Sequence, residues 1–170
     1  MQKILILFLV SAILCLFSCS KKSNGCGFQD DGLTAPAAEQ QKVKSYIDSI
    51  GITATLHPSG FYYQVIDPGS DVSPGLCSQI TVAYRGSLTN NQTFDSTMNY
   101  NTPYETSLVF TLGSLIDGWR KGVPLIKKGG KIKLFIPPTL GYGADALTTN
   151  VGVIPANSIL IFDISLLNVQ

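Results

Sequence analysis

Few residues of this chain could do chemistry, and most of them are aromatic. Trp119, the only tryptophan, sits in LGSLIDGWRKGVPLIKKGG (112–130) between Gly118 and Gly122. Tyr84 lies in VAYRG, Phe94 and Asp95 in TFDS, Tyr142 in LGYG and Phe162 in ILIFDIS. Side chains of these types can enclose, desolvate and hydrogen-bond a substrate. Singly, though, the aromatics read as core residues, and Asp95 as a turn residue capping its own backbone. Covalent chemistry has less to stand on. The sole histidine, His57, precedes Pro58 in a linker, reads as solvated, and has no partner for general-base work, so a hydrolase built on Ser or Cys lacks its base. One His and two available Cys cannot supply a regular metal ligand set. No phosphate-binding glycine fingerprint suggests a cofactor.

The elements that must position these residues follow from the pattern of the chain. It has 170 residues, 45% hydrophobic and 14% charged with a net charge of +1, enough for one compact domain and too apolar for disorder. Part of the hydrophobicity belongs to residues 1–18, where Lys3 precedes an apolar run from Ile4 to Phe17 that reads as a secretory signal peptide. Leu16-Phe17-Ser18-Cys19 resembles the lipobox of bacterial lipoproteins, which implies cleavage before Cys19 and lipidation of it. The alternative is an unmodified signal peptide. If Cys15 leaves with the signal and Cys19 carries lipid, Cys26 and Cys77 remain as a pair in an oxidising compartment, where a disulfide is expected; two free thiols are the alternative.

Residues 19–35 read as a polar tether. Residues 36–59 comprise an amphipathic helix, with Pro36 near its start, Val43, Tyr46, Ile47 and Ile50 on one stripe and Gly51 as a stop, followed by a linker. From residue 60 to 170 the period is two, in FYYQVI, QITVAYRG, LVFTLG, KIKLFIP and SILIFDISLLNV, with turn clusters between. One helical pattern interrupts them: Ile116, Trp119, Val123 and Ile126 share a face. The expectation is an α+β fold, antiparallel strands wrapped around one short helix. Of the twelve basic residues, six fall between Arg120 and Lys133 with no acid among them. An anionic partner is one reading, but Lys131 and Lys133 alternate with Ile132 and Leu134 as the wet face of a strand, and no nucleic-acid partner is expected.

Three segments read together, VAYRGSLTNNQTFDS, LGSLIDGWRKGVPLIKKGGKIKLFIPPTLGYG and VIPANSILIFDISLL, resemble in order and spacing the FKBP-type peptidyl-prolyl isomerases over about residues 60–168. The resemblance implies a half-barrel of five or six antiparallel strands around one short helix, to which the N-terminal helix is an addition. It also implies an assignment of site residues. Tyr84 matches a pocket wall, Phe94 and Asp95 the pocket edge, Leu115 and Ile116 the pair before the helix, and Trp119 the floor. Tyr142 matches the tyrosine whose hydroxyl bonds the prolyl segment, Ile154 a rim residue and Phe162 the back. Leu108 stands where many members have an aromatic wall residue. On this reading Asp95, Tyr142 and Trp119 carry catalysis, without metal or cofactor.

The family's activity is rotation about X-Pro bonds of proline-containing polypeptides, and some members bind macrolide inhibitors. With the lipobox, the resemblance implies an isomerase anchored at Cys19 in the envelope of a Gram-negative bacterium; the modest length of the N-terminal helix points to a monomer, a dimerising helix being the alternative. The outer membrane is the expected site, and the absence of an acidic run in Ser20, Lys21 and Lys22 points to its periplasmic face. The rival reading is a module that grips proline segments without turning them over. The loops STMNYNTPYETS and GADALTTNVGV are longer than in small members, which puts substrate preference and drug affinity in question.

Overall fold

The computed structural model describes residues 25–97, 106–149 and 151–170. The expected signal peptide, the lipidation site Cys19 and most of the loop STMNYNTPYETS lie outside the described residues.

The elements in chain order are α1 (Ala37–Ser49), β1 (Thr55–Leu56), β2 (Tyr62–Asp67), β3 (Gln79–Leu88), β4 (Thr93–Ser96), β5 (Leu108–Thr111), α2 (Asp117–Gly122), β6 (Lys131–Ile136), β7 (Leu147–Thr149), β8 (Gly152–Ile154) and β9 (Leu160–Val169). A seven-stranded antiparallel sheet runs in the order β1-β2-β6-β9-β3-β4, with β5 also paired to β3, and β7 and β8 form a separate hairpin. The count exceeds the expected five or six because the linker after α1 contributes β1 and the edge beside β3 is shared by two short strands. The long ladder between β3 and β9 is the spine, pairing Tyr84 with Ile164 and Gly86 with Phe162.

Alternation along these strands sorts the two faces of the sheet. Ile80, Val82, Tyr84, Ile132, Leu134, Ile136, Phe162 and Ile164 face α2 and form the main core with Trp119, Val123 and Ile126. On the opposite face α1 lays Val43 and Ile47, both buried, over Tyr62, Phe135 and Ile161. The helix read from Pro36 to Ile50 is therefore a covering layer, with Pro36 and Ile50 as its flanking residues.

The described part of the expected tether, from Gly25 to Ala35, lies against the domain. Cys26 is disulfide-bonded to Cys77. Arg120 donates to the Gln29 carbonyl, Lys121 to the Asp30 carboxylate, and the Ala35 N–H to the Ser59 carbonyl at 2.9 Å. Two of the six clustered cations are thus met by the N-terminal segment, and Lys133 pairs with Asp163 at 2.5 Å on the open face of the sheet.

The glycines of α2 now have a physical reason. A Cβ at position 118 would lie 2.4 Å from Ile136 Cδ1, and one at position 122 would lie 2.8 Å from Leu134 Cδ1. Both face side chains of β6 with no room for a methyl group. Gly118→Ala should overpack this interface and cost about 1–3 kcal/mol. The check is urea unfolding, where the midpoint should fall at unchanged slope.

Candidate active site

The rigid part of the site comes from the sheet. Asp95 on β4 pairs with Gly86 on β3, so Tyr84 is its diagonal neighbour across the ladder. The Tyr84 hydroxyl donates to Asp95 Oδ2 at 2.6 Å. Thr97 fixes the register behind this bond: the Tyr84 N–H donates to Thr97 Oγ1 at 2.8 Å, and the Thr97 N–H donates to the Tyr84 carbonyl at 3.0 Å. Gly86 keeps the inner face clear, since a Cβ there would meet Phe94 Cε2 at 2.6 Å and Phe162 Cε1 at 2.9 Å.

Three rings then form a corner. Trp119 meets Tyr84 edge-on at 5.2 Å between centroids and Phe162 edge-on at 5.2 Å, while Tyr84 and Phe162 are 6.3 Å apart. Edge-to-face contacts of this kind orient each ring beyond what burial alone achieves. Trp119 is held with its indole 4% exposed, at the bottom of an open cavity of about 280 Å³. That volume is near the lower end of the roughly 300–1,000 Å³ usual for small-molecule sites, room for a compact group.

The other walls come from connecting segments. Leu115 and Ile116 end the turn Leu112–Ser114 and lead into α2, and Tyr142 follows the turn Pro138–Leu140 and stands at the rim. Ile116 is in extended conformation at the helix start, where first-turn N–H groups lack helical acceptors. Among the described residues neither its N–H nor the Tyr142 hydroxyl has a hydrogen-bond partner.

Of the residues named from sequence, Tyr84, Asp95, Leu115, Ile116, Trp119, Tyr142 and Phe162 line this cavity together. Phe94 and Ile154 do not; both are buried behind the wall, Phe94 edge-on to Phe162 at 5.5 Å. Leu108 is 46% exposed at the start of β5 and outside the cavity. The aromatic wall on this side is Phe110, two residues on along the same face of the strand, where it pairs with Ile80 and packs against the core. Ser114 also lines the cavity. Sequence reasoning missed both, although the alternation in LVFTLG placed Phe110 opposite its neighbours.

His57 is not solvated as expected. It is half-buried, stacked on Phe61 at 4.3 Å, and its Nδ1 accepts from the Ser59 N–H at 3.1 Å. Burial, and then the nearby Lys121 charge, lower its pKa. It lines a second cavity of about 330 Å³ with Asp30, Arg120 and Lys121, larger but without an aromatic floor.

Comparison with known proteins finds relatives in sequence and in fold. Residues 71–167 match the family model for FKBP-type peptidyl-prolyl cis-trans isomerases. The chain is 41% identical over 130 residues to the FKBP-type peptidyl-prolyl cis-trans isomerase FkpA of Buchnera aphidicola subsp. Schizaphis graminum, covering 75% of this chain and 47% of that protein. It resembles the crystal structure of FkpA from Escherichia coli with a TM-score of 0.67 at 35% identity, over 79% of this chain and 60% of the other. It resembles that of AtFKBP13 with a TM-score of 0.60 at 30% identity, over 70% and 100%. The chain spans less than half the length of the curated FkpA relatives it matches.

The pocket phenols should resist ionisation. Burial first, then the bond to Asp95, raises the Tyr84 pKa; burial and then the Asp95 charge raise that of Tyr142. A raised folded pKa means that the native state holds the proton more tightly, so this stabilisation is complete below the unfolded value of about 10 and is lost as pH rises above it. In an ultraviolet phenolate titration part of the absorbance rise should come above the ordinary phenol value of about 10, and Tyr84→Phe should reduce that late part.

Proposed function

The chain belongs to the family of FKBP-type peptidyl-prolyl cis-trans isomerases, and from that premise we propose that it catalyses cis-trans rotation of X-Pro bonds in exported proteins within the cell envelope. The observation that carries the reading is the pairing of a dry aromatic corner, Trp119 with Tyr84 and Phe162, with a polar edge of Asp95 and Tyr142.

The chemistry asks for little else. Rotation about an X-Pro bond faces a barrier of about 20 kcal/mol because the amide is conjugated, and unaided it takes tens of seconds or longer. No bond is made or broken, so neither a nucleophile nor a base is called for. The planar amide is more polar than the twisted one. A cavity that strips water from the prolyl ring disfavours the planar form, while fixed donors hold the flanking carbonyls during rotation. Tyr142 is the rim donor of this scheme and the Ile116 N–H the second. Trp119 is the floor against which the ring turns. Removing about 7 kcal/mol of the barrier would speed rotation by about five powers of ten.

The envelope location is supported by the apolar segment from Ile4 to Phe17, by Leu16-Phe17-Ser18-Cys19, and by the Cys26–Cys77 disulfide, a bond that persists in oxidising compartments. In this proposal lipid on Cys19 holds the protein at the outer membrane, facing the periplasm, as a monomer. Proline-containing polypeptides are its substrates, and macrolides that present a proline-like ring are its inhibitors. The rival reading, a module that grips proline segments without turning them over, is favoured by the exposure of Tyr142 at 38%, which leaves the rim donor partly in water.

A prolyl-peptide isomerisation assay on the full-length protein in detergent decides between them. Acceleration by the wild type is expected, and binding without acceleration would favour the rival. Tyr142→Phe removes one hydrogen bond, worth about 1–1.5 kcal/mol net, and should lower kcat/KM by close to tenfold. Asp95→Ala should lower it at least as far, with little loss of stability. Trp119→Ala should abolish turnover and cost about 3 kcal/mol or more of stability.

A further inference from the structure

The walls of the cavity differ in how they are held. Tyr84, Asp95 and Phe162 sit on ladder-paired strands, whereas Tyr142, Leu115 and Ile116 sit on connections. A connection carries no ladder, so its geometry depends on what braces it. In this protein the braces come from residues 26–49, which precede the family match.

One brace is Glu39 in the first turn of α1. Its carboxylate accepts twice from Thr139, from the backbone N–H at 3.0 Å and from the hydroxyl at 2.8 Å. Thr139 is the middle residue of the turn Pro138–Leu140, and the Gly141 and Gly143 N–H groups both donate back to the Pro138 carbonyl at 2.9 Å. The carboxylate therefore grips a tightly wound segment that carries Tyr142.

The second brace is Phe28. Its ring covers Gly113 so closely that a Cβ there would lie 2.3 Å from it. Gly113 belongs to the turn that leads into Leu115 and Ile116. That turn is also tied to the segment around Cys77, since the Gly113 N–H donates to the Leu76 carbonyl at 2.8 Å and the Leu112 N–H to the Ser78 carbonyl at 3.0 Å. The Cys26–Cys77 bond fastens the Phe28 segment at that same place. Lys121 and Arg120, next to Trp119, hold Asp30 and the Gln29 carbonyl from below.

We propose that residues 26–49 are a two-point clamp that positions the active site: Glu39 acts through Thr139 on Tyr142, and Phe28 acts through Gly113 on Leu115 and Ile116. The inference rests on the reading of this cavity as a prolyl-isomerase site. Both are positioning residues, and neither lines the cavity.

The test compares Glu39→Ala, Glu39→Gln, Phe28→Ala and Phe28→Leu in the full-length protein in detergent, by hydrogen exchange and by prolyl-peptide kinetics. Glu39→Ala should speed exchange across 138–143 and leave 112–117 unchanged; Phe28→Ala should do the reverse. Each should lower kcat about tenfold, a modest share of what misplacement of a reacting geometry can cost, with a smaller change in KM. Glu39→Gln, which keeps one acceptor oxygen, and Phe28→Leu, which keeps apolar bulk, should recover most of the loss. Should an alanine variant fail to fold, Thr139→Val, which removes the hydroxyl half of the Glu39 grip, or Phe28→Val takes its place and should show the same exchange pattern with a smaller loss of kcat. Unchanged exchange in both segments, or local exchange changes with wild-type kcat in both alanine variants, would overturn the clamp. A wild type that turns over no prolyl peptide would sink the functional reading alone, and the exchange measurements would still decide whether the two braces hold their segments.

Discussion

The structure around the cavity depends on how closely α2 can approach β6. Its two glycines face Ile136 and Leu134 at distances that leave no room for a methyl group. Glycine in a helix costs about 0.5–1 kcal/mol relative to alanine, and here it is spent on proximity. With the helix this near the sheet, Trp119 reaches Tyr84 and Phe162 edge-on and all three rings close on one another. A helix set further out would leave the indole above a gap, and the cavity would lose its floor.

From that contact the molecule divides into two kinds of wall. The sheet supplies aromatic surface and the Tyr84–Asp95 bond, both locked by ladder register and by Thr97. The connections supply groups able to meet a ligand's backbone, and these are braced from outside by α1 and the disulfide-fastened N-terminal segment. The same α1 carboxylate that braces the turn at Thr139 sits on a helix whose other contacts, Val43 and Ile47 on Tyr62, Phe135 and Ile161, are plain hydrophobic burial. Burial fixes where α1 lies, and the polar contact transmits that position to the rim.

Much of this was legible in the sequence, for reasons that differ from residue to residue. Period-two runs exposed the strands because each has one buried face, and the stripe through Ile116, Trp119, Val123 and Ile126 exposed α2 despite its glycines. Ile116 itself proved to be the residue before the helix, where the stripe continues without helical backbone. At β5 motif spacing pointed to Leu108; the pleat gives it the same face as Phe110, but Leu108 stands exposed at the start of the strand and only Phe110 reaches the cavity. Phe94 and Ile154 were placed at the pocket because motif position cannot tell a lining residue from the one packed behind it. The Gly25–Ala35 segment read as a tether because its composition is polar. Cysteine arithmetic already paired its Cys26 with Cys77, but the Asp30–Lys121 contact spans a sequence separation that local pattern does not carry.

The two tyrosines of the cavity illustrate how burial and partnering divide labour between like side chains. Tyr84 has its hydroxyl committed to Asp95 at 2.6 Å, and its ring is buried against Trp119. Its O–H is already engaged as a donor, so it cannot also donate to a bound amide without breaking that bond. Tyr142, partly exposed and without a partner among the described residues, keeps its donor free. Asp95 acts on both: it accepts the hydrogen bond of the Tyr84 hydroxyl, and its charge helps hold Tyr142 neutral, the form that can donate. On the proposed reading, then, Asp95 works less as a group that touches the prolyl bond than as the one that keeps one phenol occupied and the other available. That assignment is consistent with its place at the edge of the cavity, one ladder step away from Tyr84 and across from the glycine that leaves it room.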